Sequence, residues 1–279
     1  MTAGITASQV KELREATNVG MMECKKALAE ANGDMDTAIR LLRERGMVLA
    51  GKKADREANE GLVSADVEPG GKLGVIIEVN CETDFVARNE TFQGFVQSLV
   101  EKAKSVQGSL AEACKEELIG KISEVGENLV IRRNDRFEVQ GAGVVASYIH
   151  LGGKVGVLVE MGCEHEASIE MDVFKDVVKD ITLHIAATNP TYLSRDDVEK
   201  KTLDVEREIF AKQVSDKPDN IIEKIVHGKI EKYLAQTCLL EQGFVKEPDQ
   251  SVSQLLAAKG QELDDKLSIR RFVRYQIGS

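Results

Sequence analysis

Cysteine, glutamate and histidine stand side by side at Cys163-Glu164-His165-Glu166, and thiolate, imidazole and carboxylate are all groups that ligate metals or support nucleophilic attack. The spacing is too close for a zinc knuckle, and no second ligand pair lies nearby. Cys163 also matches Cys81 within a repeated segment, which favours packing at a strand end over chemistry. The pair Asp84-Phe85 offers something different: an acid beside a large aromatic, able to enter a pocket on another molecule if a loop presents it. Nucleotide-binding apparatus is missing, because no Gly-Lys pair, whether at 71–72, 120–121, 228–229 or elsewhere, is followed by Ser or Thr, and GxGxxG, HExxH and GxSxG do not occur. A chain without a catalytic centre, cofactor or metal of its own is expected. His184 and His227, both in helical stretches, are expected to face solvent or be satisfied locally.

The 279 residues suffice for more than one domain, and 42% hydrophobic with 30% charged residues is the balance of a folded, soluble protein. A net charge of -10 supplies no positive field for phosphate backbones, so nucleic acid is not an expected partner. The basic cluster Lys52, Lys53 and Arg56 is interrupted by Asp55, Glu57 and Glu60 and reads as a solvated linker. Cysteines at 24, 81, 114, 163 and 238 form no CxxC and leave one unmatched, which suits buried thiols in a reducing cytosol. No leader-like or membrane-spanning run is seen, so a cytoplasmic protein without membrane association is expected, and the sequon at Asn89 stays unused.

Three short helices account for residues 1–46. Val10, Leu13 and Thr17 share a face, as do Cys24, Ala27, Leu28 and Ala31, then Met35, Ala38, Ile39 and Leu42, with Gly20, Gly33 and Gly46 at the ends and Asp34 available as a cap. Residues 47–60 read as a linker. From Gly61 strand-like runs begin, 61–68 and 72–79, joined by Pro69-Gly70-Gly71, and a helix with Phe92, Phe95, Val96, Leu99 and Ala103 on one stripe follows. This unit recurs 82 residues later: 70-GGKLGVIIEVNCET-83 lies over 152-GGKVGVLVEMGCEH-165 with eight of fourteen positions identical, and Phe174, Val177, Val178, Ile181 and Ile185 repeat the stripe. The fold class is therefore α+β: a three-helix module, then a duplicated antiparallel sheet-plus-helix core, 61–140 and 141–279. Strands over 128–139 and 268–277 are expected to complete the two sheets. A helical hairpin is expected at about 196–237, turning at 215–218, with Val198, Val205 and Ile209 facing Ile222, Val226 and Tyr233.

The segment 82-ETDFVARNETF-92 resembles the TDFV motif of the elongation factor Ts family. The stretch 10-VKELREATNVGMMECKKAL-28 resembles that family's N-terminal module, which is similar to a ubiquitin-associated domain; 217-KPDNIIEKIVHGKIEK-232 resembles its helical hairpin, and 239-LLEQGFV-245 and 270-RRFVRYQIG-278 its C-terminal segments. The resemblance implies a non-catalytic guanine nucleotide exchange factor whose partner is elongation factor Tu. It further implies that Phe85 wedges into that partner near its magnesium and phosphate site, with Asp84 as companion acid and Thr83 and Val86 shaping the loop. Met21, Met22 and His150 match positions that the family presents to the partner. For Met21 a core role is the alternative reading, and for His150 that of a plain surface histidine at a hairpin end.

Beside that reading, the residues favour an exposed Phe85. The second repeat has His165, Glu166, Ala167 and Ser168 where the first has Thr83, Asp84, Phe85 and Val86, and a packing need common to both would have kept a bulky residue at 167. Two other classes compete: a helical adaptor using residues 1–46 as its binding module, which explains neither the duplication nor the Phe85 loop, and a thiol- or metal-dependent enzyme centred on Cys163 and His165.

Overall fold

The computed structural model describes residues 5–215 and 218–279. Three helices open the chain, α1 (Ala7–Thr17), α2 (Met21–Glu30) and α3 (Met35–Lys53). They close on a core of Val10, Leu13, Cys24, Ala27, Leu28, Ala31, Ala38 and Leu42. Local chemistry sets their starts: Thr6 and Gln9 form a capping box on α1, and the Asp34 carboxylate accepts from the Thr37 N–H at 2.8 Å.

The first repeat is β1 (Glu60–Val67), β2 (Leu73–Cys81), α4 (Asp84–Ala87), α5 (Glu90–Ala103), α6 (Leu110–Ala113), α7 (Lys115–Val125) and β3 (Leu129–Glu138). The second is β4 (Gly143–His150), β5 (Val155–Gly162), α8 (Asp172–Thr188), α9 (Lys200–Lys212), α10 (Asp219–Thr237), β6 (Gly243–Phe244), β7 (Glu247–Ser251), α11 (Val252–Leu263) and β8 (Ser268–Gln276). The two main sheets are antiparallel, ordered β1-β2-β3 and β4-β5-β8, so the fold is α+β and each late strand does join its repeat's hairpin. Even the irregularities repeat: the central strands shift register at Glu78/Val79 and at Glu160/Met161, again 82 residues apart.

Each central strand is buried along its whole length because both of its faces are covered. Val75, Ile77, Val79 and Cys81 face the stripe of α5, and Val157, Val159, Met161 and Cys163 face that of α8. Residues of the opposite parity meet between the sheets, where Val63, Ile76 and Phe137 pack on Val145, Leu158 and Tyr275. The layers are thus helix, sheet, sheet, helix. Glycine permits the sheets' approach: a Cβ on Gly74 would lie 2.5 Å from a Val145 methyl, and one on Gly156 2.4 Å from a Val63 methyl.

Two carboxylates stand within this seam. Glu78 and Glu160 are almost wholly buried, and each takes a pair of arginines from its third strand: Arg133 Nε at 2.6 Å with Arg132 at 3.9 Å on Glu78, Arg271 Nε at 2.7 Å with Arg270 at 3.1 Å on Glu160. The more closely bonded guanidinium of each pair then lies over an aromatic ring of the other repeat, Arg133 over Tyr275 at 4.2 Å and Arg271 over Phe137 at 4.3 Å. Burial opposes ionisation of Glu160, but the Gln140 N–H and the two guanidinium groups outweigh it and hold its carboxyl below the ordinary range.

Several expectations need correction. Gly46 does not end α3, which runs on to Lys53; it lies within the helix, on the side that faces Ile119 and Ser123 of α7. Lys53 is not solvated either, since it is buried with its ammonium donating to the Gly126 carbonyl at the end of α7. Residues 195–197 form a short 3-10 turn fixed by the Ser194–Asp197 capping box, and α9 starts only at Lys200. The seam between α9 and α10 uses Leu203 and Phe210 with Val226, Ile230, Tyr233 and Leu234, whereas Val205 and Ile209 face outward. The expected turn at 215–218 includes residues 216 and 217, which lie outside the described residues. Of the two readings for His184 the structure bears out satisfaction by neighbours and not solvent exposure: it is buried, bonded to Gln242 Oε1 at 2.9 Å while its Nδ1 accepts from the Val245 N–H at 3.2 Å.

Removing one side of a buried ion cluster leaves charge without compensation, so Glu160→Ala is expected to lower unfolding free energy by about 3–5 kcal/mol in denaturant titration. Burial, more than the opposing Gln242 bond, pushes His184 below the ordinary 6.5. The unfolded chain then takes up a proton that the folded chain resists, so stability is full above pH 6.5 and falls as the pH drops toward the depressed folded value. Thermal unfolding across pH 5–8 is expected to show this acid-side loss in the native protein and a smaller one in His184→Gln.

Candidate functional site

After β2 the chain must turn sharply into α5, and α4 is the single helical turn that does so. A helix this short has no stability of its own, so its geometry is imposed from both ends. Thr83, extended at φ -125°, caps it by accepting from the Val86 N–H at 3.3 Å, and Asn89 caps α5 by accepting from the Thr91 N–H at 2.8 Å. The decisive group is Glu127, just ahead of β3. One of its oxygens accepts from the backbone N–H groups of Glu82 and Thr83 at 3.1 and 3.0 Å, and the other from the Thr83 hydroxyl at 2.6 Å. Glu82 returns the arrangement by accepting from the Asn128 N–H at 2.6 Å.

On this seat Val86 and Ala87 pack inward against the first core, which turns Phe85 the other way. Phe85 is 82% exposed. Asp84 pairs with Arg88 one turn on, at 3.0 Å. An aromatic held in water by a rigid seat is apolar area available to a partner. Ala167, the matching residue of the second repeat, is exposed too, so neither copy needs a side chain there for its core.

The second repeat builds its loop in the same way, with Asp265 in the place of Glu127. Asp265 accepts from the N–H groups of Glu164 and His165 at 2.8 and 3.2 Å and from the Ser168 hydroxyl at 2.5 Å; although burial opposes ionisation, these bonds hold its carboxyl at about 2. Glu164, His165 and Asp265 do place ligand atoms within 4.8 Å of one another, but both Asp265 oxygens are committed to the loop. Cys163 is a strand-end residue with a buried thiol, which donates to the His165 carbonyl at 3.3 Å and is pushed up by burial away from thiolate character. Cys81 does the same in the first repeat, pushed up to about 12 by burial and by Glu127. The geometry corrects any nucleophilic reading of Cys163: the thiol serves the loop's backbone.

His150 ends β4 and is exposed, stacked on Tyr148 with Nδ1 at 2.9 Å from the Tyr148 hydroxyl. The packing of the sheets carries its turn toward the Phe85 loop. Gly153 accepts from the Val63 N–H at 2.7 Å, and Lys154 pairs at 2.5 Å with Glu60, which lies opposite Cys81 in the sheet. Phe85 and His150, drawn from different repeats, therefore occupy one end of the two-sheet stack. Met21 and Met22 sit on α2 instead, in its first turn after Gly20, and both are exposed, at 53% and 65%. Met21 stands outside the module's core, which Cys24, Ala27 and Leu28 supply from that helix.

The sequence reading missed Glu127, the residue on which the loop depends. A signal existed, because Glu127 and Asp265 each stand just before the strand that completes their sheet. Among the described residues no helix is long and apolar enough to cross a membrane.

Comparison with known proteins gives a consistent result. The family model described as "Elongation factor TS" matches residues 82–279. Proteins named Elongation factor Ts are similar along nearly the whole chain. Those of Clostridium kluyveri and Clostridium perfringens are 44% and 45% identical, and that of a Nitratiruptor species 45%, each alignment covering 98% of this chain and 93% of the relative.

If Glu127 seats the loop, Glu127→Ala is expected to leave the fold intact while the amide hydrogens of residues 82–86 exchange at least about tenfold faster, a loss of one or more net hydrogen bonds. Hydrogen exchange read by mass spectrometry checks it, with the loop at 164–168 as an internal reference.

Proposed function

The chain belongs to the elongation factor Ts family, and from that membership we propose that it is a cytoplasmic guanine nucleotide exchange factor for elongation factor Tu, acting in translation elongation without catalysing a reaction of its own. It binds the GDP-bound partner, dislodges the partner's magnesium and promotes GDP release so that GTP can enter. The observation that carries this reading is Phe85, 82% exposed on a one-turn helix that Glu127 fixes to the sheet.

The mechanism follows from linkage. A factor that weakens GDP binding must itself bind more weakly to the GDP-bound partner, by the same ratio. Contacts must therefore exist that only the nucleotide-free partner accommodates, and a shift of ~10⁴ needs about 5.5 kcal/mol of differential contact energy. Phe85 entering an apolar pocket supplies part of it. Asp84, the acid beside the ring, supplies another part by acting against the hold of the partner's magnesium, since a bound divalent ion is often the largest charge in its site. A loose loop would dissipate this energy in its own ordering; the Glu127 clamp removes that loss in advance. Thr83 and Val86 act by holding the turn.

The remaining contacts are assigned with the same partner. The first three helices serve as a module similar to a ubiquitin-associated domain, with Met21 and Met22 as its adaptable apolar contacts. His150 faces the partner's phosphate-binding region beside Phe85. Helices α9 and α10 form an antiparallel hairpin that projects from the core. The net charge of -10 supports a protein partner over nucleic acid.

Release of fluorescently labelled GDP from elongation factor Tu tests the reading. The native protein is expected to accelerate release strongly, and Phe85→Ala to lose about tenfold or more of that stimulation with unchanged circular dichroism. Undiminished release by the variant sinks the wedge.

A further inference from the structure

The two repeats exchange equivalent contacts. The hairpin turn of the second lies against β1 of the first, where the Gly153 carbonyl accepts from the Val63 N–H, and Lys154 reaches Glu60, which stands opposite Cys81 where the Phe85 loop begins. The turn of the first lies beside the loop of the second, through Gly71 to Val145 at 2.7 Å and Lys72 to Glu166 at 3.6 Å. Such a pairing has two equivalent ends, each made of one loop and one turn. The sequence breaks their equivalence twice, and in the same sense. At one end the loop carries Phe85 and the turn carries Leu151; the matching residues at the other end are Ala167 and Pro69, beside Glu166 and Glu68.

Leu151 is unusual in its own right. It is 70% exposed, and its φ of +50° lies in the left-handed region, which a branched apolar side chain adopts only under strain. Gly152 and Gly153 follow it, also at positive φ, so the turn already contains residues that take this conformation freely. Leu151 is absent from every hydrophobic cluster of the fold, so packing does not explain a leucine there.

We infer that Leu151 is a second apolar anchor for the partner that Phe85 engages, so that elongation factor Tu is gripped across the seam by one side chain from each repeat. The inference rests on the exchange-factor reading and deepens it: beside the polar contact of His150, Leu151 gives the second repeat an apolar hold to match that of Phe85, so that apolar anchors from both repeats fix the orientation of the partner. The duplication then has a use at this end only, and the polar end is free of the partner.

Leu151→Asn relieves the backbone strain, because asparagine tolerates the left-handed region, while removing the apolar side chain. Its thermal midpoint is expected to equal or exceed that of the native protein. In labelled-GDP release from elongation factor Tu, the concentration of factor giving half-maximal stimulation is expected to rise about tenfold, whereas Ala167→Asp, at the opposite end, leaves it unchanged. If Leu151→Asn matches the native concentration dependence while Phe85→Ala has lost its stimulation, Leu151 is not an anchor and the exchange reading stands. If Phe85→Ala also releases GDP at the native rate, the exchange reading falls and this inference with it.

Discussion

Two carboxylates shut away from water, Glu78 and Glu160, set the terms for the whole core. An ionised carboxylate in a packed interior is tolerable only with full compensation, and each obtains it from two arginines of the adjacent strand. The arginines do more than neutralise. Arg133 and Arg271 each reach across to an aromatic ring of the other repeat, so the compensation of one sheet's charge is completed only when the second sheet is in place. Apolar contact alone would let two flat sheets slide over one another; paired ions and stacked guanidinium groups define a single register, much as a buried polar residue does in a helical seam.

From that register the shared placement of Phe85 and His150 follows. Seating the sheets face to face brings the turn after β4 next to the loop after β2, although 65 residues separate Phe85 from His150 in the chain. The loops need not be rigid by their own composition. Glu127 and Asp265 immobilise them from the strands that complete each sheet, and the buried thiols of Cys81 and Cys163 cap a carbonyl in each. Two equivalent supports carry different side chains, so a duplicated fold presents different surfaces at its two ends without altering its frame.

Much of this was legible in the residues. The stripes Phe92 to Ala103 and Phe174 to Ile185 have helical spacing, and the 82-residue recurrence announces the paired sheets. What stayed hidden depends on contacts without local period. The Glu127 clamp spans 44 residues to Thr83, a distance at which no spacing rule operates. In α9 two apolar stripes compete, Val205 with Ile209 and Leu203 with Phe210, and only the position of α10 decides which is covered. Met21 stands three residues before Cys24 and could have shared its face, but as the first residue of α2 it lies beyond the module's packed interior. α11 carried readable signs, a Ser251–Gln254 capping box and apolar residues at 252, 255 and 256, yet neither it nor α7 was anticipated.

The tether between the first three helices and the core is shorter and stiffer than its polar composition suggests. Lys53 docks on the Gly126 carbonyl, the residue before Glu127; Arg56 pairs with Glu82 at 3.5 Å, and its carbonyl accepts from the Asn128 side chain at 2.8 Å. All three attachments land on residues that border the clamp beneath Phe85. The leading module is therefore no swinging arm on a string. Its last turn and the segment after it are fastened to the residues that border the support of the Phe85 loop, so module and loop share one foundation.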